Sequence, residues 1–61
     1  MSPRTISDIN DDLLAAACCI SDLAHHISEH GPENVLVLNN LERATDGFKR
    51  LLIERRAVEA A

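Results

Sequence analysis

Three residues near the middle of the chain have the types and the spacing of a zinc site. His26, Glu29 and His30 follow one another as H-x-x-E-H. Residues four apart lie on one face of a helix, so the two imidazoles could reach one metal ion. The glutamate between them could then serve as a base. The chemistry that this pattern would perform is zinc-dependent hydrolysis.

The order of these residues resembles the inverted zincin pattern. A catalytic zinc needs a third protein ligand and an open position. In the families that carry this pattern, the third ligand lies further downstream than these 61 residues extend. Two of the five positions in the pattern are unconstrained, which makes chance matches common. We therefore expect no catalytic residues here and a protein that is not an enzyme.

A structural metal is a second hypothesis for the same stripe. Cys19, Asp22, His26 and His30 follow one another at steps of three, four and four residues. A single straight helix rarely supplies four tetrahedral ligands, although two chains could supply two each. The simpler interpretation places His30 in the last turn of a helix, at the end of its apolar stripe, where a cation suits the dipole and the ring partly covers the edge of the core. We expect no metal and no cofactor, and we assign His26 and His30 as the ligands if a metal binds.

The elements that must position these residues are two helices. Apolar residues recur at steps of three and four over residues 6–27 and again over residues 37–58. Thr5 or Ser7 can cap the first helix. Residues 35–38 form an apolar run that would also suit a strand, but the later periodicity is helical. The fold class predicted by this pattern is all-α.

Gly31 and Pro32 separate the two helices. Glycine is typical after the last residue of a helix, and proline is typical at the first position of the next. We expect a single helical-hairpin domain over residues 1–61, with a helix at about 6–30, a turn at 31–32 and a helix at about 33–59.

Folding the chain at this turn brings the two apolar stripes together in register. Facing positions of an antiparallel pair have a constant sum of residue numbers, which is 64 here. Ala16 then faces Phe48, so a small side chain meets the largest one. Arg55 is the one mismatch, and its stem can lie along the stripe while its head reaches solvent or an Asp. The expected pairs are Ile27–Val37, Leu23–Leu41, Ile20–Ala44, Ala16–Phe48, Leu13–Leu51, Ile9–Arg55 and Ile6–Val58.

Charge is distributed unevenly between the two helices. Residues 5–31 hold five acids and no Lys or Arg. The basic residues near the end of the second helix are therefore expected beside the acids at the start of the first. These are Lys49, Arg50, Arg55 and Arg56 on one side and Asp8, Asp11 and Asp12 on the other.

A two-helix hairpin covers only one stripe on each helix. A chain below roughly 70 residues seldom gains more than about 3–5 kcal/mol from its own core, and Phe48 is the single aromatic residue here. We therefore expect two hairpins to pair as a homodimeric four-helix bundle. The residues expected at protein interfaces are Leu14, Ala17, Ala24, Leu38, Thr45, Phe48 and Leu52.

Composition limits the binding partners and the cellular location expected for this small acidic protein. A net charge of −4 argues against general affinity for nucleic acid or anionic membranes. No apolar run approaches the ~20 residues of a membrane span, so we expect a cytoplasmic protein. Cys18 and Cys19 are adjacent and point about 100° apart on a helix, which makes a disulfide between them implausible.

These patterns favour a non-enzymatic module for protein–protein interaction. It would present helix faces to a second copy of itself and then to a larger protein. Adaptors, secretion-type co-chaperones and the inhibitors of regulators that phages and plasmids encode are often small helical hairpins. This inference is an analogy of architecture.

The alternative function is a nucleic-acid-binding regulatory dimer. Its binding face would consist of Lys49, Arg50, Arg55 and Arg56. The small plasmid copy-number regulators are helix-hairpin dimers that bind RNA, and this chain resembles them in size and hairpin layout. The acidic net charge weighs against that alternative.

Overall fold

The computed structural model describes residues 4–60 and consists of two helices. Helix α1 spans Ile6–His30 and helix α2 spans Val35–Ala60. The two pack against each other as an elongated hairpin of 43 × 19 × 15 Å, with a radius of gyration of 14.0 Å. The described chain is all-helical, as predicted, and residues 35–38 belong to α2 rather than to a strand.

Helix α1 begins with a reciprocal cap. The backbone N–H of Asp8 donates to Thr5 Oγ1 at 3.1 Å, and the N–H of Thr5 donates back to Asp8 Oδ2 at 3.3 Å. Two backbone donors that the helix itself leaves unpaired are satisfied in this way. Of the two capping residues proposed from the sequence, the structure uses Thr5.

The connection between the helices is built by one glycine and one asparagine. Gly31 has a positive φ of 85°, which favours glycine, and its N–H donates to the Ile27 carbonyl at 2.8 Å. Asn34 Oδ1 then accepts hydrogen bonds from the N–H groups of Leu36 and Val37 at 3.0 and 3.4 Å. The prediction that α2 starts at about residue 33 was therefore wrong by two residues, because Asn34 caps the helix.

Burial follows the two predicted apolar stripes, which we call the seam. All the seam positions from 6 to 27 and from 37 to 58 are at least half-buried. Ile9 alone among the described residues is fully buried, at 0% exposure. His30 was placed at the end of the seam, and this was wrong: its side chain is exposed.

Polar contacts across the seam occur near the chain ends. Arg55 Nε donates to Asn10 Oδ1 at 2.9 Å, and Arg4 pairs with Glu54 at 3.3 Å. The contact between Asn10 and Arg55 lies one step from the predicted register, because their residue numbers sum to 65. The helices therefore face each other much as the constant sum predicted.

The hairpin brings the basic end of α2 beside the acidic start of α1, as expected, but the two sets of residues do not form ion pairs with each other. Asp12 pairs with Arg4, which precedes α1, and Arg55 pairs with Glu59 of its own helix. Within residues 4–60, no ion pair joins Asp8, Asp11 or Asp12 to a basic residue of α2. Because arginine side chains are long, Arg4 reaches Asp12 from outside the helix, and Arg55 reaches Glu59 one turn away on its own helix.

Candidate interaction surface

His26 and His30 lie together on an exposed side of α1. Their ring centroids are 4.7 Å apart and the ring planes are tilted by 42°. Both side chains are exposed. The four-residue spacing thus brings the two imidazoles side by side, as the helical interpretation of the motif predicted.

The wider ligand stripe is not assembled within one chain. Over residues 4–60, no group of three or more His, Cys, Asp or Glu side chains is placed to hold a metal ion. Cys19 and Asp22 therefore do not join His26 and His30 in a common site. Glu29 Oε1 lies 3.2 Å from His25 Nε2, with both side chains largely exposed.

Cys18 and Cys19 are both free and both exposed. Their spacing on the helix directs them to different sides of α1. Neither thiol is buried, so neither packs as a small hydrophobic residue within this hairpin.

The four basic residues assigned to nucleic-acid binding point in different directions from α2. At 100° per residue, Lys49 and Arg56 lie on one side of the helix, and Arg50 lies about 100° from Lys49. Arg55 is half-buried at the seam and is engaged by Asn10 and Glu59. A cluster that is compact in sequence is therefore divided between different helix faces.

A second apolar row lies beside the seam on α2, and we call it the outer row. It consists of Leu38, Thr45 and Leu52, which are seven residues apart and so share one side of the helix. Leu38 is 37% exposed, and Thr45 and Leu52 are half-buried. The Thr45 hydroxyl donates to the Glu42 carbonyl at 2.8 Å, which satisfies its donor within the helix. The row can therefore contact an apolar surface without leaving that donor unpaired.

Helix geometry places the small residues of α1 on the same broad face of the hairpin. Ala17 and Ala24 are both exposed and lie beside the seam of α1. Leu14 lies further round the helix and is 67% exposed. Phe48, which was also assigned to the interface, is half-buried at the seam, where the predicted register pairs it with Ala16. On its α1 side, the face beside the outer row therefore carries the small side chains of Ala17 and Ala24.

The structure also exposes three large apolar residues outside the outer row and Leu14. Val35 and Leu36, in the first turn of α2, are 64% and 73% exposed. Ile53 is 64% exposed on the side of α2 away from the seam. The apolar run at 35–38 contained the signal, since four consecutive positions of a helix point in four directions and only one can lie at the seam.

Charge is concentrated at one end of the hairpin. The turn end, residues 20–46, holds five acids and one base, whereas the open end, residues 4–19 and 47–60, holds five of each. The whole net charge of −4 therefore belongs to the turn end, which also carries the exposed Val35 and Leu36. The five acids of the turn end are Asp22, Glu29, Glu33, Glu42 and Asp46.

The hairpin exposes more surface than a compact chain of its mass. Its accessible area is 4773 Å². A compact monomer of 6.7 kDa exposes about 3,900 Å². The excess of roughly 900 Å² is close to the ~800 Å² that each partner contributes to a standard protein–protein interface.

The part of the chain from residue 4 to residue 60 encloses no cavity. Neither α1 nor α2 combines the length and the apolar character that crossing a bilayer requires. No family model, curated protein or solved structure matches this chain.

Proposed function

We propose that this protein is a non-enzymatic interaction module that pairs with a second copy of itself and acts on a larger protein. The roles that fit this proposal are those of an adaptor, a co-chaperone or an inhibitor of a regulator. The observation that carries it is the distribution of burial. A hairpin with one fully buried residue, Ile9, leaves most of its apolar side chains partly uncovered. Contact with a protein partner would bury these apolar side chains.

A second copy is the partner that fits the outer row. Thr45 is the middle residue of the row, so a two-fold axis at Thr45 would place Leu38 of one copy opposite Leu52 of the other. The same axis would carry the two acidic turn ends to opposite ends of the dimer, which avoids their mutual repulsion.

The part of the turn end furthest from Thr45 would then be left for the larger protein. It carries the exposed Val35 and Leu36 and lies in the half of the hairpin that holds the whole net charge of −4. A matching partner surface would be basic and would contain an apolar patch. This location for the second contact keeps it apart from the centre of the proposed dimer.

Aspartate substitutions in the outer row test the dimer. Leu38→Asp and Leu52→Asp should each lower both the molecular mass in solution and the melting temperature. Burial of a leucine side chain is worth about 1.5–3 kcal/mol, and two-fold symmetry doubles each loss. Light scattering under reducing conditions measures the mass, and circular dichroism measures the melting temperature.

Ile53→Asp is the matched control for these substitutions. It places the same charge on α2 at a site that is 64% exposed and lies away from the outer row. Mass and melting temperature should both be unchanged. A wild-type chain that scatters as a stable monomer, or an Ile53→Asp chain that dissociates as readily as Leu38→Asp, would contradict the proposed dimer.

Nucleic-acid binding is the competing function, and it rests on Lys49, Arg50, Arg55 and Arg56. The division of these residues between helix faces and the use of Arg55 at the seam weigh against it. Salt-dependent retention on immobilised nucleic acid separates the two proposals, because phosphate contacts weaken steeply as salt rises. We expect no retention at physiological salt.

A further inference from the structure

We propose that His26 and His30 form a two-imidazole chelate for a divalent transition-metal ion such as Ni²⁺ or Zn²⁺. The ring centroids are 4.7 Å apart on residues four positions apart in α1. Two nitrogens bound to one ion at about 2.0–2.1 Å are themselves roughly 3 Å apart. Rotation of the two exposed side chains is enough to bring ring nitrogens to that separation.

The surroundings of the pair favour metal binding. Both rings are exposed, and within residues 4–60 neither takes part in a hydrogen bond or an ion pair. His25 differs, because its Nε2 lies 3.2 Å from Glu29 Oε1. The helical backbone fixes the relative positions of the two ligands before the metal arrives, so little conformational freedom is lost on binding.

Electrostatics adds a favourable contribution. The pair lies near the carboxyl end of α1, where the helix dipole favours positive charge. It also lies within the turn end, which holds the whole net charge of −4. A dication therefore approaches a site of suitable potential.

The identity of the ligands selects the class of ion. Imidazole nitrogen suits nickel, copper and zinc, whereas calcium and magnesium prefer oxygen ligands. Two protein ligands leave the other coordination positions to water. The proposed site belongs to one chain and does not depend on the proposed dimer.

Calorimetric titration of tag-free protein with Ni²⁺ tests the site. The parent for the test carries Cys18→Ser and Cys19→Ser, since exposed thiols also bind such metals. The titration is done at mildly alkaline pH, because a histidine ligand must be in its neutral form. We expect one Ni²⁺ ion per chain.

The ligand variants are His26→Ala and His30→Ala, and His25→Ala is the matched control. Each ligand variant should weaken Ni²⁺ binding by about tenfold or more, which is the least that even the loss of an outer-shell group usually costs. His25→Ala should bind as the parent does. Ni²⁺ should also raise the melting temperature of the parent and of His25→Ala, but not that of His26→Ala.

Three results would overturn the site. The first is a parent chain that does not bind Ni²⁺. The second is a loss of affinity in His25→Ala as large as that in His26→Ala. The third is a stoichiometry of one ion per two chains, which would place the ligands in different copies. Circular dichroism verifies that each variant keeps the helical content of the parent.

Discussion

The two ends of the hairpin are held together by different means. At the open end, Ile9 is fully buried, Arg55 bonds to Asn10 and Arg4 pairs with Glu54. At the turn end, no polar contact between the helices is present among residues 20–46. Each side-chain hydrogen bond described there lies within a single helix or its cap.

This difference follows from chain connectivity. A short connection keeps the helices close at the turn end, so the entropic cost of bringing them together there is small. The open end has no such connection, and its helices stay together only through contacts. The end furthest from the turn must therefore supply most of the specific interactions between the helices. The turn end is then free to carry acidic and apolar groups on its surface.

The strongest test compares one substitution at the two ends. Ile9→Ala should lower the free energy of unfolding by about 2–5 kcal/mol, since it removes a fully buried side chain. That loss approaches the whole stability of a chain this small. Ile27→Ala deletes the same atoms from a half-buried seam position at the turn end and should cost less. Urea titration followed by circular dichroism measures both.

Equal losses in the free energy of unfolding for Ile9→Ala and Ile27→Ala would contradict the difference between the two ends. They would mean that the turn end is packed as firmly as the open end. A larger loss in Ile27→Ala would reverse it.

A second test examines the packing where the two ends meet. Ala16 is half-buried at the seam opposite Phe48, so Ala16→Leu should overpack it and cost about 1–3 kcal/mol. Ala15 is exposed, and Ala15→Leu should leave the melting temperature nearly unchanged. Similar melting temperatures for the two variants would show that the seam does not pass through Ala16.

The smallest expected effect concerns the cap at the turn end. Asn34→Ala removes the acceptor for the N–H groups of Leu36 and Val37 and should cost about 1 kcal/mol. Hydrogen exchange at those two amides should become faster, while the amide of Asp8 at the open end keeps its protection. Asn39→Ala, an exposed change inside α2, is the control and should not destabilise the chain. Faster exchange at Asp8 in Asn34→Ala would show that the two ends open together.

The features that follow from periodicity were predictable from the sequence. The steps of three and four residues located both stripes of the seam, and the constant sum of residue numbers paired them. Thr5 was one of two residues recognised as possible caps, the other being Ser7, because both types are favoured before the first turn of a helix. These are local or repetitive signals, and a single sequence contains them in full.

The features that depend on side-chain reach were not predictable in the same way. Arg4 pairs with Asp12 and Glu54. Arg55 contacts Asn10 and Glu59. A long flexible side chain has several neighbours within reach, so its partner does not follow from spacing alone. Asn34 did carry a signal as a typical capping residue. Pro32 also suits the first turn of a helix, and it led to a predicted start of α2 that was too early.

The candidate interaction surface was predictable only in part. The outer row could be identified, since residues seven apart share a helix side. The exposure of Val35 and Leu36 depends on where α2 begins and on which residue of the run lies at the seam. Dimerisation and the larger partner remain proposals, because they depend on surfaces outside this chain.

The elongated shape of the hairpin has a hydrodynamic consequence. A compact domain of 61 residues has a radius of gyration of about 10.5 Å, whereas this chain has 14.0 Å. A radius of 14.0 Å is what a compact domain of about 130 residues would show, roughly twice the length of this chain. A single hairpin should therefore leave a gel-filtration column somewhat earlier than a globular protein of its own mass, and should tumble faster about its long axis than end over end.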